Sequence, residues 1–431
     1  MLFRSVNRMD CSLRNKIVHL TLLSLILLPG IGFGQGTWVW NQRTHSELSW
    51  QTLETEHFFI HFSDGLFSTA MDAANISEEL WPVLLKQVEA DHDYGKIHIT
   101  LTSEDEIANG YVLPSNQVFI WVNQNEPAGH FTGSEKWLRT VIAHELQHVV
   151  LVNATRTWLG LWNFSTLPFW FIEGTAEYYT ERWRVGRSDT RLKAAIYYNR
   201  LHRLAPHDDG FAKVLYLAEN FGDSTLTEII QWRHPTWKTY SFRQAFREAT
   251  GMSPAAFHEQ WRKVMNTYYY SYRGQKESLD DTGEIINVPS IGSIYSISIS
   301  PDSSKAAYVS RESGARYHSI FIETIESGEI GKMHVGIIRS RPQWSPDSKA
   351  IVFGEYRRGK YGSLINDIRL LNVEKKRVRW LTKNYRANYP VFSDQNELFY
   401  VINRGRAAQI VRHSLAADAI QQITHFGPET H

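Results

Sequence analysis

His144, Glu145 and His148 stand in the order His-Glu-Leu-Gln-His. In a helix, residues four apart lie one above the other, so the two imidazoles can share a metal ion. Glu145 is turned off that line. From there it can reach a water that the metal activates, take its proton and later pass it to a leaving amine. A zinc site of this type takes a third protein ligand and keeps one position open. The stretch Phe169 to Tyr179 (FWFIEGTAEYY) offers Glu173, 25 residues after His148. Gly174 beside it permits close helix packing. Glu177 lies one turn further on the same face, where it can orient a ligand histidine. His144, His148 and Glu173 are therefore expected to hold one Zn2+ ion, with Glu145 as general base and Glu177 behind the ligands.

These residues need helices to carry them, and the pattern turns helical from about 134 to 273. Trp137, Val141, Ile142 and Val149 share one broad apolar face after Ser134 as N-cap. A second helix is expected from Trp170 to Trp183, after Pro168. Further helices are expected over 211–232 and 240–268, with Gly251 and Pro254 marking a turn in the latter. Upstream, Trp50 to Phe62 alternates as a strand does, and Lys96–Leu101 and Gln117–Val122 read as two more. Ser68 to Val88 has helical spacing, interrupted by Pro82. The expected class is an α+β domain with an N-terminal mixed sheet and a C-terminal helical part.

From about 285 the chain repeats. Ile297 to Val309 (ISISPDSSKAAYV) returns as Gln343 to Phe353 (QWSPDSKAIVF) and, worn, as Val391 to Val401 (VFSDQNELFYV). The aligned aspartates are Asp302, Asp347 and Asp394. Strand, tight turn and strand at this period read as propeller blades. Three are present and closure takes about four, so the all-β part is expected to be an incomplete propeller and the chain a fragment of a longer protein.

Taken together, HELQH and WFIEGTAEYY resemble the gluzincin metallopeptidases, the thermolysin-like superfamily with two histidines and a glutamate. The resemblance covers roughly 48–268. It implies His144, His148 and Glu173 as zinc ligands and Glu145 as general base. Asn109-Gly110-Tyr111 through Gln117 to Trp121 resembles the strand that flanks the cleft in such enzymes, which implies pairing with an extended substrate. Phe242 to Gly251 and Trp261 are similar to the domain's closing helices. The chain lacks the Gly-x-Met-Glu-Asn segment of the aminopeptidase branch, which favours endopeptidase over exopeptidase action. The family's oxyanion-stabilising Tyr or His has five candidates here: Tyr178, Tyr197, Tyr198, His207 and Tyr216. The repeats are similar to TolB-type blades.

Composition sets the frame. The net charge of +1 argues against a nucleic-acid partner. Arg4, Arg8, Arg14 and Lys16 precede an apolar run from Ile17 to Leu28, and Gly32-Phe33-Gly34 suits cleavage before Gln35. That is the pattern of a secretory signal peptide over 1–34, with an uncleaved anchor as the alternative. Cys11 is the sole cysteine, so the mature chain would hold no thiol. The division expected is a metallopeptidase domain over 35–275 and blades over 285–431, periplasmic or secreted, with no integral span after cleavage. The function expected is zinc-dependent hydrolysis of a peptide or protein substrate, with a possible further protein partner on the blades. An inactive scaffold that binds proteins through the blades is the alternative; presence of all four site residues speaks for the enzyme. A non-peptide amide or ester substrate stays open.

Overall fold

The computed structural model describes residues 45, 47–90, 94–123, 137–160, 166–180, 185–276, 291–338, 340–359, 361–404 and 407–426. The expected signal peptide, Cys11 and Ser134 lie outside them. Residues 49–431 form one compact unit. Among the described residues no helix is long and apolar enough to cross a membrane.

Trp50 to Phe62 is two strands where one was expected. β1 (Trp50–Glu54) and β2 (Phe58–Ser63) make an antiparallel hairpin. Thr55 closes it: its N–H donates to the Phe58 carbonyl and its hydroxyl accepts from the Phe58 N–H. A helix, α1 (Phe67–Gln87), then crosses to β3 (Ile97–Thr102), which lies parallel to β2. Pro82 stays inside α1 and does not end it. Leu80, Trp81 and Leu84 around it are buried, and that burial outweighs one lost backbone hydrogen bond. β5 (Gln117–Trp121) runs parallel to β3, and β4 (Gly110–Leu113) pairs antiparallel with β5. Among the described residues the sheet order is β1-β2-β3-β5-β4, with β4 at an edge. Phe58, Ile60, Ile97, Ile99, Leu101, Val118 and Ile120 alternate onto the face the helices cover.

Among the described residues seven α-helices follow: α2 (Trp137–Ala154), α3 (Phe169–Tyr179), α4 (Val185–Tyr197), α5 (Pro206–Phe221), α6 (Ser224–Gln231), α7 (Phe242–Thr250) and α8 (Pro254–Gly274). α3 stops at Tyr179, short of the expected Trp183. The helix expected over 211–232 is broken in two at Gly222, whose φ is +92°. Gly251, left-handed at φ +74°, ends α7, and Ser253 caps α8 by accepting the Ala256 N–H. Trp170, Phe171, Phe242, Phe246 and Phe257 pack ring on ring behind α3.

The C-terminal strands form three antiparallel meanders of four: β6 (Ser293–Ile299) to β9 (Glu329–Ile338), β10 (Gln343–Trp344) to β13 (Arg377–Trp380), and β14 (Ala387–Phe392) to β17 (Ala419–Gln422). The strands between are β7 (Lys305–Arg311), β8 (His318–Thr324), β11 (Ala350–Arg358), β12 (Leu364–Asn372), β15 (Leu398–Arg404) and β16 (Ala407–Ser414). The last residues of β9 cross over to pair with β11, joining the first two meanders. On β11, Ile351 and Phe353 join the apolar cluster shared with the first meander, and Val352 the cluster shared with the third. One strand thus serves two interfaces, as a period of two allows. Each repeat turn starts on a serine, Ser300, Ser345 or Ser393, and reaches a left-handed residue three later, Ser303, Ser348 or Asn396. The third turn is one residue shorter: Ser393 pairs with Glu397, whereas Ser300 pairs with Lys305 and Ser345 with Ala350. Gln395, and not Asp394, therefore occupies the place of Asp302 and Asp347, which corrects the alignment read from sequence.

Candidate metal centre

α2 carries His144, Glu145 and His148, and is buried on nearly every side. α3 carries Glu173 and Glu177. The two helices bring the imidazoles and the carboxylate to one point. His144 Nε2 and His148 Nε2 lie 3.1 Å apart, and Glu173 Oε2 lies 3.4 Å from the first and 3.5 Å from the second. Glu177 Oε1 stands 3.7 Å from His144 Nδ1, on the far side of that ring.

A third helix completes the cluster. Gly174 of α3 meets Gly210 of α5 so closely that a Cβ on Gly174 would lie 2.4 Å from the Gly210 carbonyl oxygen. Contact without side chains draws the first turn of α5 onto α3. His207 in that turn places Nδ1 3.1 Å from Glu173 Oε2 and 3.2 Å from Glu177 Oε1. His144, Glu173 and His207 form a group whose ligand atoms are close enough to hold a metal ion. Sequence reasoning named His207 only as an oxyanion candidate. Three of the four tyrosines have partners elsewhere and the fourth faces solvent. Tyr178 donates to Asp223, Tyr197 packs on Tyr270, Tyr198 is exposed, and the Tyr216 hydroxyl accepts from Gln260.

Burial governs the charges. It lowers the His144 pKa to about 4, so this ring is neutral at physiological pH. Burial also opposes charge on Glu173, but the three imidazoles, His148 first, then His207 and His144, together outweigh it and hold the carboxyl well below its usual range. His148 shows the counterpart: burial lowers it, and the Glu173 carboxylate together with Glu145 and Glu177 raises it above its usual value. Glu173 Oε2 and His148 Nδ1 are buried without a hydrogen-bond partner among the described residues. Glu145 is pushed up to about 7, chiefly by burial.

Glu145 is fixed by a backbone. A Cβ at Gly110 would fall 2.6 Å from Glu145 Oε1, so the edge strand β4 passes directly over that carboxylate. Of the segment likened to a cleft strand, Gly110–Leu113 is the sheet edge and Gln117–Trp121 lies one strand in.

The chain matches no family model and no curated protein. Among solved structures it is similar to TolB from Acinetobacter baumannii, at 21% identity and a TM-score of 0.28, over 32% of this chain and 33% of that one. It is also similar to a putative TolB from Agrobacterium tumefaciens, at 19% identity and a TM-score of 0.27, over 32% and 50%. A third is the β-propeller domain of the Trilobed protease from Pyrococcus furiosus, at 14% identity and a TM-score of 0.27, over 32% and 44%. The chain spans a third to a half of the length of these three proteins.

Proposed function

We propose that this chain is a zinc-dependent peptidase of gluzincin type, acting as an endopeptidase outside the cytoplasm, with a peptidase unit over 35–275 and propeller blades over 285–431. One observation carries the reading: the donor atoms of His144, His148 and Glu173 are mutually 3.1 to 3.5 Å apart. Ligands about 2.0–2.1 Å from one tetrahedral zinc are separated by about 3.3 Å. Glu173 Oε2 is buried with three imidazoles within 3.5 Å and none of them at hydrogen-bonding geometry, which fits the same ion.

A zinc ion held there would supply Lewis-acid chemistry to a water molecule and to a substrate carbonyl. The rest falls to the protein. Glu145, with a pKa near 7, can take a proton from water at its carboxylate and return it to the departing amine. Glu177 lies between His144 and His207: its carboxylate pairs with His207 Nδ1 at 3.2 Å and faces His144 Nδ1 at 3.7 Å, so it orients His207 directly and places its charge behind His144. β4, an edge of the sheet among the described residues, is the strand along which an extended peptide would lie beside Glu145. Such pairing holds a peptide with little demand on its side chains.

The test joins metal analysis to one substitution. The purified chain should hold one zinc per molecule and cleave members of a peptide library. Glu145→Gln should keep the zinc and lose activity by about 10²–10⁴-fold. A chain without stoichiometric zinc, or a Glu145→Gln variant as active as the parent, would overturn the reading.

A further inference from the structure

Glu106 is a carboxylate buried where the peptidase half meets the strands of the C-terminal half; it is 4% exposed. It sits in the loop from β3 to β4, and only residues 107–109 separate it from Gly110 over Glu145. Its partners come from the third meander and the residue that leads into it. The Arg386 guanidinium donates to one carboxylate oxygen and the Asn403 amide to the other. Arg386 also donates to the Ser103 carbonyl, 2.6 Å away.

The second meander holds the same loop through its backbone. The Glu106 N–H donates to the Leu364 carbonyl at 2.7 Å, and the Tyr356 hydroxyl donates to the Glu106 carbonyl at 3.1 Å. On its other side the loop is tied to its own sheet: Asn123 donates to the Ser103 and Asp105 carbonyls, at 2.8 and 2.6 Å. The loop is clamped between the sheet and the blades.

We infer that the blades position the substrate-binding edge: Glu106, gripped by Arg386 and Asn403, sets where β4 lies against Glu145. The inference rests on the peptidase reading for what β4 binds, and on geometry alone for what holds β4. A carboxylate removed from water is tolerated only while paired. Losing Arg386 would leave Glu106 buried without a counter-charge, with only the Asn403 amide on its other oxygen, so the loop would have to open towards water and take the start of β4 with it. Arg386 touches none of the cluster residues; its action on substrate passes through β4, as a positioning residue.

The experiment uses the full chain and the variants Arg386→Gln and Arg386→Lys. Hydrogen exchange over residues 107–113 should speed up at least about 10-fold in Arg386→Gln, with α2 and α3 unchanged. Zinc should stay at one per chain. With the best-cleaved peptide of a library, KM should rise about 10-fold and kcat stay within about twofold, the mark of lost binding and not lost chemistry. Arg386→Lys keeps the charge and should recover part of both effects. Should Arg386→Gln fail to fold, Tyr356→Phe, which removes one peripheral hydrogen bond, should speed the same exchange to a smaller degree. Unchanged exchange over 107–113 in a folded Arg386→Gln, or in Tyr356→Phe, overturns the inference. So does faster exchange with KM unmoved. A parent that cleaves no peptide sinks the peptidase reading instead, and the exchange measurement then decides by itself whether the blades hold β4.

Discussion

His148 and His207 both approach Glu173 Oε2, at 3.5 and 3.1 Å, yet they are not equivalent. His148 presents Nε2 to the cluster, one helical turn from His144 on the same rigid helix. His207 presents Nδ1, and that atom is shared with Glu177. The expected outcome follows. His148→Ala should abolish stoichiometric zinc, while His207→Ala should weaken zinc binding by about 10–100-fold, the usual cost of losing a supporting group. Equilibrium titration against a chelator reads the difference, and equal losses in the two variants would make His207 a full ligand. The same contrast explains what was legible. His144, Glu145 and His148 could be read because one helix fixes their spacing, and Glu173 because its motif stands near them in sequence. The place of His207 depends on which helix crosses α3 and where, and nothing in the residues around His207 declares that.

At the level of elements, the crossing of α3 and α5 is the joint on which the cluster turns. Gly174 read as a residue for close packing, and it is one, but the partner, Gly210, could not be read. A glycine inside a helix costs about 0.5–1 kcal/mol relative to alanine in an open helix. Here alanine is the worse residue, since its Cβ would meet the Gly210 carbonyl oxygen at 2.4 Å. Backbone cannot swing aside as a long side chain can, so the helices must part. Gly174→Ala should destabilise the chain by about 1–3 kcal/mol through overpacking, seen as a lower urea midpoint, and should weaken zinc binding as well because Glu173 and His207 separate. A variant with parent stability would show that the helices are not in contact there. Sequence erred at the elements for local reasons. The alternation of Trp50 to Phe62 runs straight through the Thr55 turn that splits it. Pro82 looked like a break, yet the buried side chains around it keep the helix whole.

Over the whole molecule, the repeats were the most legible feature and also show a limit. Two turns carry an aspartate where the chain bends, and the third carries Gln395, a shift of one residue that only the backbone reveals. The shift has a consequence for acid stability. Hydrogen bonds hold Asp302 and Asp347 below the usual carboxylate range, first from Ser300 and Ser345, then from the N–H groups of Ser304 and Lys349. A carboxyl with a depressed folded pKa contributes stability above its ordinary value, here 3.8. That contribution is lost as pH falls through the folded value. The loss belongs to the first two meanders, because glutamine does not titrate. Asparagine can keep the turn by accepting the same hydrogen bonds through its side-chain oxygen, and it has no proton to gain. The double variant Asp302→Asn, Asp347→Asn should therefore fold as the parent does near neutrality and lose less stability on acidification. Urea midpoints measured from about pH 6 to about pH 2 should converge on the acid side, where the parent's aspartates are protonated too. Parallel curves would mean that the turn hydrogen bonds are as strong to the protonated acid as to the carboxylate. Because the second and third meanders also grip the loop around Glu106, acid that loosens the second should reach β4 before it reaches α2, and exchange over 107–113 should rise in the parent at a pH where the double variant still protects it.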